Sequence, residues 1–317
     1  MKNIFSAIIG TGFGLRVIYN TLKYFNRCKI KFIYSRKKNK KSIFTKNLST
    51  LKKFKPLKLV FIETPPFTHI KYLNFFKDNK ICISCEKPIV SNINDLKKIK
   101  NNLSNYKFSL FINHQLRYHP HIKLFKKELK KIGKIRHIKI TYNSNNISEK
   151  KRNSWWLDNK KGGGHLLAIA PHLLDLLNFF YGNLKTLDKK LKFIKKFNKK
   201  IDIAFNLNGL LYNGIKYQIS STCFSKRNNT YFNLKASGTQ GIVKFENFKR
   251  IKIIRKKNIK LIKLTDLFTN DNFFINPWRV AQFYYIKNIF QSYKKKLNFK
   301  KNILQSIKNL DLILKKN

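Results

Sequence analysis

From the amino end, short apolar runs alternate with amphipathic stretches. Ile4 to Ile9, Ile30 to Tyr34, Leu59 to Ile62, Ile81 to Cys85 and Phe108 to Ile112 are apolar runs, and helix-like segments such as Arg16 to Phe25 lie between them. Continuous apolar runs of this length read as strands covered on both faces, and their alternation with helices predicts a doubly wound parallel sheet. Lys123 to Lys131 then reads as a basic amphipathic helix stopped by Gly133, and Ile135 to Tyr142 as a strand with one wet face. After Gly162-Gly163-Gly164 an apolar run with recurring leucines has the length and period of a buried helix. Past Gly182 come short strand-like runs, Leu191 to Ile194, Ile201 to Leu207, Ile215 to Phe224, Tyr231 to Ala236 and Ile242 to Phe245, several joined by Asn and Gly turns. That pattern predicts a largely antiparallel sheet open on one face. Trp278 to Tyr293 and Asn302 to Leu314 read as helices returning across the first domain. The expected architecture is α/β, with a doubly wound parallel domain over residues 1–118 and an α+β domain with a large, mostly antiparallel open sheet over residues 119–317.

The composition is that of a folded chain: of 317 residues, 43% are hydrophobic and 14% aromatic, enough for well-filled cores. The charge is unusual. Sixty-nine Lys+Arg against fourteen Asp+Glu give a formal net charge of +55. Such an excess ordinarily suggests nucleic acid or an anionic surface. The lysines are spread from end to end, however, and abundant Asn, Ile and Phe accompany them, so the sequence favours compositional bias over a selected nucleic-acid footprint, with non-specific polyanion binding at low salt. No stretch approaches the ~18–20 apolar residues of a membrane span. Cys82 and Cys85 lie three apart on a buried strand, so they face opposite ways; a shared metal or local disulfide is not expected, and a reduced cytoplasm fits. His114, His119 and His121 cluster without a Cys or carboxylate at metal spacing and read as surface or hinge residues, with no metal site.

The apolar run Ile4 to Ile9 ends at Gly10-Thr11-Gly12-Phe13-Gly14, ahead of a helix. Strand, glycine turn and helix in that order are what a dinucleotide pyrophosphate requires: Gly10 for the tight turn, Gly12 for close approach of backbone amides. The third glycine of the usual spacing would fall at Leu15, so the match is imperfect. At the end of the second strand, where an NAD site offers a carboxylate to the ribose 2′-hydroxyl, the chain has Ser35-Arg36-Lys37-Lys38. A hydroxyl and a guanidinium suit a 2′-phosphate, so NADP is favoured over NAD; the alternative is an ordinary basic loop. His172 and Asp175, three apart, share a face of the apolar helix. A lone histidine there is a satisfied core residue or a catalytic one.

The glycine turn after the first strand, Thr64-Pro65-Pro66 with His69 after a middle strand and Glu86-Lys87-Pro88 after the next resemble the Gfo/Idh/MocA family of NAD(P)-dependent oxidoreductases. So does Trp155 and Asp158 ahead of the triple glycine and His172. The resemblance extends in order over nearly the whole chain and implies a Rossmann first domain. It implies that Lys87 sits beside the nicotinamide and the reacting hydroxyl, where an ammonium can orient the hydroxyl and relay its proton. It also places Thr64, Pro65, Pro66 and His69 in the cofactor crevice and Glu86 against the ribose or Lys87, His69 being alternatively a helix-capping residue. Asn113 to Pro120 resembles the family's crossover between domains, in which Arg117 orients substrate or braces the interface. Trp155 and Trp156 wall a sugar site or plug the domain junction. In relatives the open sheet forms subunit contacts, so a homodimer or homotetramer is expected, with a small-molecule sugar substrate and neither membrane nor specific nucleic-acid partners.

The pattern breaks where many relatives carry a catalytic aspartate four residues before the histidine. Here that residue is Ala168, and the following family glycine is Ala170. Proton handling then falls to Lys87 and His172, with Asp175 placed either to hold the second nitrogen of His172 or to serve a structural role. Two functions follow as expectations. The first is hydride transfer between NADP or NAD and a hydroxyl or ketone of a carbohydrate or nucleotide-linked sugar. The second is a non-catalytic, cofactor-binding sensor or regulator of the same fold.

Overall fold

The computed structural model describes residues 3–36, 41–145, 147, 152–224, 230–268, 271–295 and 300–315. β1 (Ile4–Ile9) leads through a π-helical turn, Gly14–Tyr19, into α1 (Asn20–Leu22), so the first helix begins before the expected Arg16 and stops short of Phe25. β2 (Cys28–Tyr34), β3 (Phe44–Thr45), α2 (Leu48–Lys53), β4 (Leu57–Ile62), α3 (His69–Phe75), β5 (Cys82–Cys85), α4 (Ile93–Asn102) and β6 (Ser109–Ile112) follow. The six strands pair in parallel in the order β3-β2-β1-β4-β5-β6. This is the doubly wound order whose direction reverses between β1 and β4, leaving a crevice at their carboxyl ends.

Alternate residues of these strands serve two layers. Ala7, Ile9, Val60, Ile62, Ile83, Cys85, Leu110 and Ile112 join one core, and Ile8, Leu59, Phe61, Cys82 and Phe111 the other. Cys82 and Cys85 accordingly face opposite sides, and all four cysteines are buried and none forms a disulfide.

The chain then crosses through α5 (Pro120–Glu128) and β7 (Ile135–Asn143) to α6 (His165–Tyr181), followed by β8 (Asp188–Lys196), β9 (Lys199–Leu210), β10 (Lys216–Thr222), β11 (Tyr231–Gly238), β12 (Gly241–Glu246), β13 (Arg250–Arg255) and β14 (Asn258–Lys263). These strands form a sheet ordered β14-β13-β12-β11-β7-β10-β9-β8, antiparallel except where β10 runs with β7. β14 is an edge strand and β13 its inner neighbour; both lie past the last strand expected from the sequence, although Ile251 and Ile253 of β13 alternate with basic residues and are buried. α7 (Pro277–Lys295) and α8 (Lys300–Leu314) return to the first sheet: Tyr285, Ile286 and Ile289 of α7 pack on one face, and Ile303, Ile307 and Leu310 of α8 join the core on the other. Among the described residues no helix is long and apolar enough to cross a membrane.

The entry to α6 is fixed by close packing. Gly163 approaches the Trp156 carbonyl, and Gly164, at φ +92°, faces the Asp202 carboxylate, which accepts from the Leu166 amide at 2.6 Å and satisfies an orphan donor of the helix. A Cβ on Gly164 would collide with that carboxylate. Gly164→Ala is therefore expected to cost about 2 kcal/mol or more and Asp202→Ala about 1 kcal/mol, read as shifts of the urea unfolding curve. Wild-type stability in Gly164→Ala contradicts this packing.

Candidate active site

A cleft of about 890 Å³ opens at the carboxyl edge of the parallel sheet, where the strand order reverses. Gly10, Thr11, Gly12, Phe13, Ser35, Arg36, Thr64, Pro65, Pro66, Glu86 and Lys87 line it from the sheet side, and Trp155, Trp156, Ala168 and His172 from α6 and the loop before it. A volume of several hundred Å³ with convergent polar groups is the usual form of a cofactor or ligand site. Four of the residues singled out from sequence do not line it: Gly14, His69, Arg117 and Asp175.

The glycine turn fits a pyrophosphate. Gly10 sits at φ +112°, and a Cβ there would come within 2.6 Å of the Glu63 carbonyl oxygen. Gly12 has nothing within 4 Å of its Cβ position, so its backbone faces open space at the helix start. Gly14 lies beneath, where a Cβ would meet Ile8 Cγ2 at 2.8 Å. The helix-packing glycine of the fingerprint is thus position 14, one residue before the usual spacing. At the ribose end Ser35 is buried and Arg36 exposed; Lys37 and Lys38 fall outside the described residues.

His69 starts α3 but acts as a staple. Its Nε2 lies 2.7 Å from the Thr64 carbonyl and its Nδ1 3.1 Å from that of Pro88, tying the Thr64–Pro66 loop to the cis Lys87–Pro88 bond. Burial pushes its pKa down to about 4, and a neutral ring donates to only one of the two carbonyls. Glu86 accepts from Asn113 Nδ2 at 2.5 Å, and Asn113 also donates to Gln282 of α7 at 3.0 Å. Burial raises the Glu86 carboxyl to about 7, against the lowering charge of Lys87. Lys87 is itself held low by burial, with Glu86 opposing, and its Nζ donates to the Ala168 carbonyl across the cleft. Pro171, inside α6, lacks the N–H that the Leu167 carbonyl would otherwise receive, so the helix loses a rung beside this contact.

His172 is buried, with no partner at Nδ1 among the described residues, and its pKa lies well below the usual value because of burial first and the charges of Lys87 and His114 second. At neutral pH the ring is an uncharged acceptor. Asp175 does not hold it. The Asp175 carboxylate instead takes both Nε, at 2.7 Å, and Nη2 of Arg117 in a buried fork between α6 and the turn before α5. Of the two roles open to Arg117, bracing the junction is the one this geometry serves. Of the two readings of the histidine cluster, surface or hinge, burial excludes the first: His114 donates to or accepts from Ser306 of α8 at 2.8 Å, and His119 accepts from the His121 amide at the start of α5. Helix capping and ring packing, including His119 on Phe248 at 4.7 Å, consume these side chains locally.

Several cleft residues were not anticipated from sequence. Trp278, at the start of α7, stands edge-on to the His172 ring at 5.0 Å and to Tyr142 at 5.7 Å. Its place was signalled by Asn276-Pro277, since the Asn276 side chain accepts from the Trp278 amide at 2.9 Å and starts the helix. Arg16 and Arg279 add positive charge, and Glu63 lines the crevice next to the glycine turn. Trp155 is partly exposed along the cleft wall, whereas Trp156 is buried against Ile201 and Ile203.

Comparison with known families matches residues 4–114 to an oxidoreductase family's NAD-binding Rossmann fold and residues 128–244 to the GFO/IDH/MocA C-terminal domain. An uncharacterised oxidoreductase of Synechocystis sp. is 24% identical over 58% of this chain, which spans about half (53%) of that relative's length. Among solved structures, levoglucosan dehydrogenase in complex with NADH and levoglucosan superposes with a TM-score of 0.83 at 16% identity, covering 98% of this chain and 95% of that one. A 3-ketoreductase from Actinomadura kijaniata, in complex with NADP and TDP-benzene, gives 0.78 at 14% identity, with 98% and 96% covered. At these identities the structures share the fold.

Two expectations follow from the buried groups. His69 and His114 are pushed down to about 4, His119 and His165 to about 3, and His172 well below its usual value, all chiefly by burial. Their folded values lie below the unfolded ~6.5, so their contribution is complete above that pH and is lost as pH falls, by up to about 1.4 kcal/mol per unit for each ring. The urea midpoint should drop steeply from pH 6.5 to 4 and less steeply in His165→Gln; a midpoint flat across that window contradicts the buried neutral rings. Asp175→Ala should cost about 3–5 kcal/mol by stranding Arg117, and Arg117→Met with Asp175→Leu should recover most of it in the same assay.

Proposed function

The chain belongs to the Gfo/Idh/MocA oxidoreductase family, and from that premise we propose that it moves hydride between NADP or NAD and a hydroxyl or ketone of a carbohydrate or nucleotide-linked sugar. The observation that carries the reading is that Lys87, from the end of β5, and His172, from α6, line one cleft with the glycine turn, though far apart in sequence. The residues present fit the cofactor: an open Gly12, the Thr64–Pro66 loop and, at the ribose end, Ser35 and Arg36. The bound nicotinamide supplies the hydride acceptor or donor.

The protein's part is to position the substrate and take its proton. Lys87 has three donors, of which one goes to Ala168, leaving two for a substrate oxygen. An ammonium there orients a hydroxyl and stabilises the alkoxide as hydride leaves. The His172 ring, neutral and within the same cleft, takes the proton in oxidation and returns it in reduction. Trp155 and Trp278 offer flat faces to a sugar ring. Ser35 and Arg36 favour NADP over NAD, Arg36 meeting the 2′-phosphate. A homodimer or homotetramer through the open sheet, in the cytoplasm, completes the reading.

A sensor of the same fold is the second reading. It is favoured by Ala168 in place of the family carboxylate and by the Lys87 ammonium's bond to that residue's carbonyl.

Screening sugars with NADP and NAD by nicotinamide absorbance separates the two. Turnover should be found, with Lys87→Met and His172→Ala each lowering kcat by about 10²–10⁴-fold while cofactor affinity changes little. Turnover unaffected by both substitutions removes the proposed roles; cofactor binding with no turnover of any sugar by the wild-type protein supports the sensor.

A further inference from the structure

Glu63 is an ionisable side chain at the end of the buried strand β4. In the register of the parallel sheet Ile9 pairs with Ile62, Ile62 with Cys85, and Cys85 with Ile112. Gly10, Glu63, Glu86 and Asn113 therefore form one row at the carboxyl edge. Alternation along the strands turns this row toward the face covered by α7, as the Asn113–Gln282 hydrogen bond attests. Glu63 packs directly under the glycine turn: a Cβ on Gly14 would lie 3.3 Å from Glu63 Cβ. It borders the cleft, yet the residue is only 5% exposed, and neither carboxyl oxygen has a hydrogen-bond partner among the described residues. A carboxylate stripped of water and partners is among the costliest groups to bury, so this one calls for a physical account.

The groups around it narrow the choice. From β5 come Cys85 and, just beyond the strand, Glu86 and Lys87; from α7 comes Tyr285, with Tyr118 beside it. The Tyr285 hydroxyl is engaged with Ser84 at 2.8 Å, and burial raises both Tyr285 and Cys85 well above their usual values, so neither changes charge near neutral pH. Glu86 is held by Asn113 and balanced by Lys87. Glu63 has no such support: burial and then the charge of Glu86 raise its pKa well above the usual carboxylate range. Its carboxyl therefore holds a proton to higher pH than an exposed glutamate does. A positive charge arriving in the crevice would favour its ionised form, as a neighbouring cation does for any buried acid.

We propose that Glu63 senses the redox state of the cofactor: it stays protonated with the reduced nicotinamide, which is neutral, and releases its proton to solvent when the oxidised, positively charged nicotinamide binds. This rests on the reading that the cleft holds NADP with its nicotinamide near Lys87. Its consequence is that the site gains preference for oxidised over reduced cofactor as pH rises. NADP+ and NADPH carry the same phosphates, so a difference between them reports the ring alone.

The test is calorimetric titration of the full chain with NADP+ and with NADPH at pH 7.5 and 8.5, each in two buffers of different ionisation enthalpy, which counts protons released per cofactor bound. NADP+ should release up to one proton more than NADPH, and its association constant should rise by up to tenfold over that pH unit while that of NADPH stays level. Glu63→Gln, isosteric and neutral, should bind both cofactors and abolish the difference; Glu86→Gln, which removes the neighbouring negative charge, should reduce it. Equal proton counts for the two cofactors in the wild-type protein, or a difference that survives in Glu63→Gln and so belongs to a group such as Glu86 or Lys87, overturns the inference alone. Failure of both cofactors to bind overturns the cofactor reading and this inference with it.

Discussion

The hydrogen bond from the Lys87 ammonium to the Ala168 carbonyl spans the cleft between the parallel sheet and α6. It is made possible by two separate folding decisions. The sheet register delivers Lys87 beyond β5 beside the strand-order reversal, and the triple-glycine entry sets α6 close against the far wall. A buried ammonium is costly unless paired, so the contact, together with the charge of Glu86, fixes the separation of the two walls as well as the position of the lysine. At position 168 the chain carries alanine, and it is the main-chain carbonyl of that residue, beside a rung broken by Pro171, that meets the ammonium.

Electrostatically the site is built from groups held away from their ordinary charge. His172 and His114, 6.0 Å apart, are both uncharged at neutral pH, and burial with the charge of Glu86 raises the Glu63 carboxyl well above the usual carboxylate range. These departures share one cause, exclusion of water by α7, α8 and tryptophans of the cleft wall such as Trp156 and Trp278. The Arg117–Asp175 fork keeps its charges by pairing them and lies behind the site, bracing the junction on which the histidine ring depends.

Much of this was legible in the sequence. Apolar runs of buried length announced five of the six parallel strands, and the order of strand, glycine turn and helix placed the cofactor end. The short β3 carries too little pattern to be read, and the exposed edge strand β14 buries no residue that would mark it, whereas its inner neighbour β13 does alternate, with Ile251 and Ile253 buried. Side-chain roles were read less well than elements. Asp175 shares a helical face with His172, but spacing alone could not reveal that Arg117, from a distant turn, outcompetes the imidazole for it. The histidines at 114, 119 and 121 looked solvated because their neighbours are polar, whereas α5, α8 and Phe248 enclose them. Glu63 and Trp278 were missed for the opposite reason: each sits at the boundary of an element, where periodicity stops carrying information.

The central claim is the proposed one, that the nicotinamide binds beside Lys87 with its reactive carbon facing the space before His172. The most direct measurement is a crystal structure of the protein with NADP bound. The account predicts the pyrophosphate on the Gly10–Gly14 turn and the nicotinamide ring in contact with Lys87 on one side, its reactive carbon facing the space before His172. A nicotinamide turned out of the cleft, or a ring separated from either residue by the protein's own side chains, contradicts it.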